Sequence, residues 1–459
     1  MKQIEKEDFL KDLDILPERE YLLEKVRLIA KKIGTFYGFQ KISTSIIGEY
    51  KRISQLVRED FLDTSLPVVL KTKTGVEIAL RSSGIVGALR AYGDYAMMDL
   101  PQPVKLNFEG ETLVAGGAGA ITGQYEMGFV IAGEAGPVAE AEILQVIWKT
   151  LEELGVRNGQ VSLRLNAIGC NTCRNSFRTA LTSYLRSRVN RLCKNCKKDM
   201  KHSPTRVLVC GEEKCKMVAQ NAPQILDYVC EVCKKQLRGI LEFLDEMKVS
   251  YLLDHTFFRE GTVYSNFIFE LFCNVVPRPK KPAPVVILEG EVLPLPVDKV
   301  IEAEVPVAEQ VSERVVIGEG GRVSRVAEIM AGRPTDAVAA ILFLGGIEKM
   351  LLARQSPLNT LVVPKVFLVH LGELAKRKSI GLIEMLRSAG MDVAEILGKD
   401  SIKTQLNAAE KVGVRVALIL GQKEALDETV IVREVDSGVQ ETVPQEKLIE
   451  FLQRKLAVT

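Results

Sequence analysis

The chain has 459 residues, 47% of them hydrophobic and 26% charged, and a net charge of +2. At roughly 150 residues per domain this length predicts about three domains with sizeable cores, and the balance excludes a disordered or fibrous chain. No apolar run reaches the roughly 18 residues that span a bilayer, and the opening MKQIEKEDFLKDLD has no hydrophobic signal segment, so a cytoplasmic protein without membrane contact is expected.

Tyr21 to Tyr37 carry apolar residues at helical spacing and stop at Gly38, after which KISTSII reads as a strand. VEIALRSS is a second strand and IVGALRAY a short helix beside Gly84. PVKLNFEG and EMGFVIAG are strands flanking the glycine-rich run AGGAGAITG, residues 115–123, which predicts a loop. That run lacks the Gly-Lys-Ser/Thr ending of a phosphate loop, so Gly116, Gly117 and Gly119 point to flexibility. AEAEILQVIWKTLEELGV is a strong amphipathic helix, VSLRLNAIG opens a cysteine-rich module, and LDYVCEVCKKQLRGILEFLDEM closes it with a long helix. YSNFIFELF resumes the sheet, and the stretch VVPRPKKPAPVVILEGEVLPLPVDKVIEAEVPV, with its seven prolines, predicts an extended excursion. VAEQVSERVVIGEGGRV, AVAAILFLGG and GIEKMLL give strand, strand and buried helix. From PKVFLVHLG onward a separate alternation of strands and helices predicts an independent α/β domain, in which His370 is a structural strand residue.

Eight of the nine cysteines form close pairs: Cys170 with Cys173, Cys193 with Cys196, Cys210 with Cys215, and Cys230 with Cys233. Paired thiolates each supply two of the four tetrahedral ligands of zinc, and a closed all-sulfur shell leaves no position for substrate. Two structural zinc ions are therefore expected, and the spacing leaves open which pairs share an ion. Cys273, alone in FELFC, reads as a core residue. With so small a net charge a nucleic-acid surface must be local, and the segment from Arg174 to Lys201 supplies one: Arg174, Arg178, Lys194, Lys197, Lys198 and Lys201 are candidate phosphate contacts, with Asp199 as the only acid.

Four stretches resemble the histidyl-tRNA synthetases, in the family's order and across nearly the whole chain. DILPEREYLLEKVRLIAKKIGTFYGFQKISTSI resembles the opening helix and first class II motif, with Ser45 in place of the family's proline. LRLNAIGCNTCRNSFRTALTSYL and APQILDYVCEVCKKQLRGILEFLD are similar to the insertion module in its cysteine-bearing form. FFREGTVYSNFIFE and GEGGRVSRV stand where motifs of the kinds RGLDYY and GGRYD are expected, and SIKTQLNAAEKVGVRVALILGQKE resembles the anticodon-binding domain. The resemblance implies an α+β class II synthetase-like antiparallel sheet with a helical cysteine-rich insertion and a C-terminal α/β domain of anticodon-binding type. It divides the chain into residues 1–160 and 251–355 as two halves of the core, 161–250 as the insertion, 275–308 as the proline-rich excursion, and 361–459 as the anticodon-type domain. It further implies a homodimer, and tRNA or a tRNA-like RNA as partner, with Lys403 and Gln405 facing it.

The family's activating residues are largely replaced. LRPEGT becomes LRSSGI, putting Ser83 and Ile85 where glutamate and threonine hold the amino group. FRYERPQ becomes LVAGGAG, putting Val114 at the arginine that grips the α-phosphate and Gly116 at the motif glutamate. HQFGVE aligns through YEMGFV, placing Glu126 and Val130 against the bound histidine; GLER becomes GIEK, with Lys349 for arginine; and Val323 replaces the tyrosine of GGRYD. Arg259 aligns with the catalytic arginine, Tyr264 with a substrate-facing tyrosine, and Arg81 and Arg90 persist on the scaffold. One lost charge-stabilising donor lowers a rate by roughly 10² to 10³, so the expected protein is a tRNA-binding or regulatory paralogue without histidine activation, keeping Arg259, Arg81, Tyr264 and Lys349 as a residual site. The alternatives are an active histidine–tRNA ligase with a rebuilt site, using ATP and Mg, and an interaction subunit like the regulatory partner of ATP phosphoribosyltransferase, against which residues 361–459 argue.

Overall fold

A computed structural model describes residues 15–58, 67–115, 121–157, 159–200, 203–258, 263–276, 312–354 and 364–457. Arg259, Lys201, the glycines at 116, 117 and 119, and nearly all of the proline-rich stretch lie outside the described residues. Two compact units divide at residues 359 and 360.

In the first unit, α1 (Pro17–Phe36) leads into β1 (Gln40–Lys41), and β2 (Ile47–Glu49) into α2 (Tyr50–Arg58). The small strands β3 (Val69–Lys71) and β4 (Glu77–Leu80) join β2 in a three-stranded sheet, and α3 (Gly84–Asp94) follows. The long hairpin β5 (Val104–Ala115) and β6 (Ile121–Ala132) is followed by α4 (Val138–Glu153) and β7 (Ser162–Gly169). The cysteine module contributes α5 (Asn171–Arg186), α6 (Lys194–Asp199), α7 (Glu213–Gln220) and α8 (Glu231–Glu246). Then come β8 (Tyr251–Leu253), β9 (Ser265–Val275), β10 (Glu313–Arg322), α9 (Ser324–Ala331), β11 (Ala337–Phe343) and α10 (Leu344–Ala353). The main sheet runs β1-β5-β6-β11-β10-β9-β7-β8, antiparallel except at its two edge pairs.

VSLRLNAIG, read above as the start of the cysteine module, is instead β7 of this sheet, paired with β9 and β8. Its run of buried side chains is that of a strand covered on both faces. The hairpin strands also reach further than their apolar cores suggested, because Gly123 to Tyr125 pair with Glu111 to Leu113 despite the glycine.

Each face of the sheet buries its own apolar cluster. One cluster contains Leu23 and Val26 of α1, Ile143 and Ile147 of α4, and Phe129, Phe267 and Leu342 of the strands. The other joins Ile85 and Leu89 of α3 to Phe108, Val130, Ile268 and the cysteine module, where Phe177 stacks on Phe258 at 5.4 Å between ring centroids. Cys273 is buried in β9 on the first face, as its apolar surroundings predict.

The end of β10 is fixed to α4 by a buried ion pair. Arg322 donates Nε and Nη2 to the Glu140 carboxylate at 2.7 and 2.8 Å, and its Nη2 also reaches the Gly136 carbonyl at 3.2 Å. Both side chains are almost fully enclosed, so the attraction is balanced by a large desolvation penalty and matters most when one partner is lost.

The second unit has β12 (Val366–His370), α11 (Glu373–Ser388), β13 (Val393–Glu395), α12 (Ile402–Val412), β14 (Val416–Leu420), α13 (Gln422–Leu426), β15 (Thr429–Glu434), β16 (Gln440–Pro444) and α14 (Gln445–Ala457). Its sheet, β13-β12-β14-β15-β16, is parallel through the first three strands and antiparallel beyond. His370 is fully buried within it.

Breaking a buried pair by truncating one partner costs about 3–5 kcal/mol. Glu140→Ala should therefore lower the stability of the first unit by about that amount, read in urea from the fluorescence of Trp148, the single tryptophan, which lies on α4.

Candidate activation face and cysteine module

Antiparallel register places directly opposed residues on the same side of a sheet. One such row crosses six strands: Phe108 opposes Gly128, Gly128 opposes Ile341, Ile341 opposes Glu319, Glu319 opposes Glu270, and Glu270 opposes Arg164. The row beside it on the same face holds Gly110, Glu126 and Phe343. Three carboxylates thus share the face covered by α3: Glu126 and Glu270 are almost fully enclosed, and Glu319 is 9% exposed.

Glu126 is held at the N-terminus of α3, where its Oε1 accepts the Gly84 N–H at 2.5 Å. A side chain at position 84 would meet the Phe108 ring at 2.2 Å and Glu126 Oε1 at 2.9 Å, so glycine is required for this approach. Burial pushes the Glu126 carboxyl up to about 7; the Gly84 N–H and Arg81 oppose the rise, and Glu319 adds to it. At neutral pH the group is poised between proton donor and acceptor. Glu270 accepts from Arg164 Nε at 2.9 Å and from Arg314 Nη2 at 2.5 Å, and the Arg314 guanidinium lies 3.7 Å from the Phe272 ring centroid.

The expected site residues are distributed unevenly around this face. Arg81 donates Nε and Nη2 to the Glu111 carbonyl at 2.9 and 2.6 Å and Nη1 to the Thr44 carbonyl at 3.2 Å, so its fork braces the hairpin. Tyr264 is buried in the apolar cluster with Phe257 and Phe258. Lys349 is 62% exposed, 3.5 Å from Glu313, and lines a groove with Gln124, Arg314, Val316 and Phe343. Ser83 caps α3 through its hydroxyl, which accepts the Ile85 N–H at 3.3 Å. Ile85 and Val130, at positions where the resemblance implies polar contacts, are both fully buried with Phe108 in one apolar cluster. Glu319 and Arg314 were missed by sequence reasoning; the available signal was a lone glutamate inside the glycine-rich end of an apolar strand.

The eight paired cysteines fall into two groups, Cys170, Cys173, Cys230 and Cys233, and Cys193, Cys196, Cys210 and Cys215, with all sulfurs in each group within 4.8 Å of one another. A tetrahedral ion with Zn–S near 2.3 Å sets its sulfurs about 3.8 Å apart. Here Cys173 and Cys233 stand at 4.0 Å, Cys193 and Cys210 at 4.0 Å, and Cys170 and Cys173 at 3.4 Å. Backbone N–H groups aim at the sulfurs: Cys230 donates to Cys173 Sγ at 3.1 Å and Cys193 to Cys215 Sγ at 3.2 Å. Four soft donors converge with amide support that favours thiolates, so each group fits a metal ion.

On the basic segment beside them, Arg178, Lys194, Lys197 and Lys198 are exposed and Arg174 is half-buried. In the second unit Lys403 is exposed, but Gln405 is fully buried. Its amide donates to the His370 carbonyl at 2.9 Å and accepts the His370 N–H at 3.0 Å. The expectation that Gln405 faces RNA is therefore corrected: on the inner side of α12 it satisfies the end of β12.

The raised Glu126 value carries a pH signature. The folded carboxyl titrates near 7 and the unfolded one near 4.5, so its contribution to stability is fully present below about 4.5 and is lost as pH rises through 7. The difference amounts to roughly 3 kcal/mol. Glu126→Gln should remove this part of the stability decline between pH 4.5 and 7, measured by denaturant titration against the unsubstituted chain.

Comparison with known proteins extends across the chain. The model of the family described as "Histidyl-tRNA synthetase" matches residues 13–280, more than half of the chain, and "Anticodon binding domain" matches residues 365–455. A histidine–tRNA ligase of Dehalococcoides mccartyi is 29% identical over 450 residues, covering 96% of this chain and 98% of the relative. The structure of apo histidyl-tRNA synthetase from S. aureus superposes with a TM-score of 0.69 at 22% identity, covering 96% of this chain and 97% of that one. A Bacillus halodurans structure described as an ATP phosphoribosyltransferase regulatory subunit/histidyl-tRNA synthetase gives 0.59 at 14% identity, covering 89% and 96%. With the class II sheet, the cysteine-bearing insertion and the C-terminal anticodon-binding domain all in place, the chain belongs to the histidyl-tRNA synthetase family.

Proposed function

We propose that this protein is a histidine–tRNA ligase working on a rebuilt activation face, joining histidine to tRNA at the expense of ATP. The observation that carries the reading is the face itself, where Glu126 and Glu319 stand in one sheet beside a groove bearing Lys349 and Arg314. Correspondence with relatives called histidine–tRNA ligase over 96% of the chain supports it and weighs against the expectation of a paralogue without activity. On this reading Glu126 binds a polar group of the amino acid and the cations of the groove meet ATP phosphates, with Mg supplying further charge neutralisation. Lysine provides a point charge without arginine's planar fork, and the phosphate-gripping arginine is replaced by Val114. Activation should accordingly be slow.

A second reading rests on Ile85 and Val130, whose apolar burial withdraws two polar contacts from the amino acid. On that reading the protein binds tRNA without activating histidine. Either way, tRNA is taken to meet the anticodon-binding domain near Lys403 and the basic segment of the cysteine module. A homodimer is part of the proposal: Leu28 and Phe36 of α1, in the segment that resembles the first class II motif, are large apolar residues that lie exposed in the single chain. A cytoplasmic setting suits both the function and eight clustered cysteines that form no disulfide.

Histidine-dependent exchange of pyrophosphate into ATP tests the ligase reading. Exchange is expected with histidine alone among the standard amino acids, at a rate at least roughly 10² below that of an ordinary member of the family. Absence of exchange with every amino acid would leave the binding-only reading.

Both cysteine groups are taken to hold structural zinc, which would join β7, α5 and α8 at one site and α6 and α7 at the other. Elemental analysis of the purified chain should give two zinc per chain. Cys173→Ser and Cys215→Ser should each lose one, and chelation should unfold the module while the second unit stays folded.

A further inference from the structure

Beside α3 lies a half-open cavity of about 260 Å³ lined by α2, α3, β2, β4, the Arg81–Ser83 turn and Met330 of α9. One part of its wall is apolar, formed by Ile53, Leu80, Val86 and Met330, of which Val86 and Met330 are almost fully buried. Ile85, Glu126, Val130 and Tyr264 do not line it, whereas Ser83 and Arg81 form its edge nearest the activation face.

One end of the cavity is cationic. Asp94 accepts Arg52 Nη1 at 2.5 Å and Arg90 Nη1 at 3.0 Å, so one carboxylate holds two guanidinium groups side by side. Burial pushes the Asp94 carboxyl up, but the two arginines outweigh it and hold the group below its ordinary value. Among the described residues the remaining nitrogens of Arg52 and Arg90 make no hydrogen bond, which leaves each fork with donors to offer. The charged lining residues are Arg52, Arg81 and Arg90 against Glu49 and Asp94, a sum of +1. Arg81 spends its donors on backbone carbonyls, so the donors left to face the cavity are those of Arg52 and Arg90, which together share the single carboxylate of Asp94.

We propose that this cavity is a binding site for a small organic carboxylate with an apolar body of about five carbons. A cavity of about 150 Å³ already holds benzene, and 260 Å³ is near the lower end of small-molecule sites. The carboxylate meets the Arg52 and Arg90 forks, the geometry in which arginine binds carboxylates best, and the body lies against Ile53, Val86 and Met330. Ser83, in the cavity wall, also caps α3, and the adjacent Gly84 N–H holds Glu126. A ligand here therefore touches the turn that holds Glu126 at the activation face.

The test is calorimetric titration of the full chain with hexanoate, and with hexan-1-ol as the uncharged counterpart. Hexanoate is expected to bind saturably at one site per chain, and hexan-1-ol at least tenfold more weakly. The double variant R52Q/R90Q should weaken hexanoate at least tenfold, its fold checked by Trp148 fluorescence. Gly48 lines the cavity and an added Cβ there meets nothing within 4 Å, so Gly48→Leu should fill the mouth without disturbing the fold and abolish binding. No saturable binding, equal binding of hexan-1-ol, or hexanoate binding unchanged in either variant would overturn the assignment.

Discussion

The antiparallel register of the eight-stranded sheet is the constraint on which every functional placement in the first unit depends. It brings Arg164, Glu270, Glu319, Ile341, Gly128 and Phe108 into one row although they come from positions more than 200 residues apart. Because side chains alternate with a period of two, a one-residue slip of any strand would turn its carboxylate to the opposite, apolar face. The Arg322–Glu140 pair holds the end of β10 to α4, and with it the position of Glu319 three residues earlier. The carboxylate face is thus anchored from behind by packing and from one end by charge.

On that scaffold the chemistry has shifted from charge-assisted contacts toward enclosure. Where the family resemblance implies hydroxyl and carboxylate partners for the amino acid, Ile85 and Val130 add to the apolar core, which stabilises the fold and removes selective contacts. Glu126 remains as a carboxyl enclosed at the α3 terminus, where burial raises it to about 7. Lys349 and Arg314 line the groove, each already facing a carboxylate, Glu313 and Glu270. A slow ligase and a tRNA-binding protein are neighbouring outcomes of the same substitutions, separated by whether these remaining groups still discriminate the transition state from the bound substrates.

Much of this was legible in the sequence because it is local or periodic. Helical spacing marked α1, α4 and α8, the cysteine spacing announced clusters able to hold a metal ion, and the motif order carried the family. What sequence could not supply was pairing between distant strands. β7 was read into the cysteine module because a buried central strand has no alternation to distinguish it from a helix entry. The sharing of sulfurs between Cys170 and Cys233, or Cys193 and Cys215, is a matter of how four segments fold back, which spacing leaves open. Gln405 was expected to face RNA from the family resemblance; only the tertiary structure reveals a backbone end that its amide satisfies. Glu319 escaped notice since a single acid in a strand gains meaning only from Glu126 and Glu270 beside it.

Transfer of radiolabelled histidine to the 3′ end of full-length tRNA, followed as acid-precipitable label on the zinc-loaded chain, tests the central claim most directly. Charging of the tRNA that pairs with histidine codons, slow but dependent on ATP and lost in Glu126→Ala, is the predicted result. Tight binding of that tRNA with no label transferred, over times long enough for many turnovers of an ordinary synthetase, would contradict it.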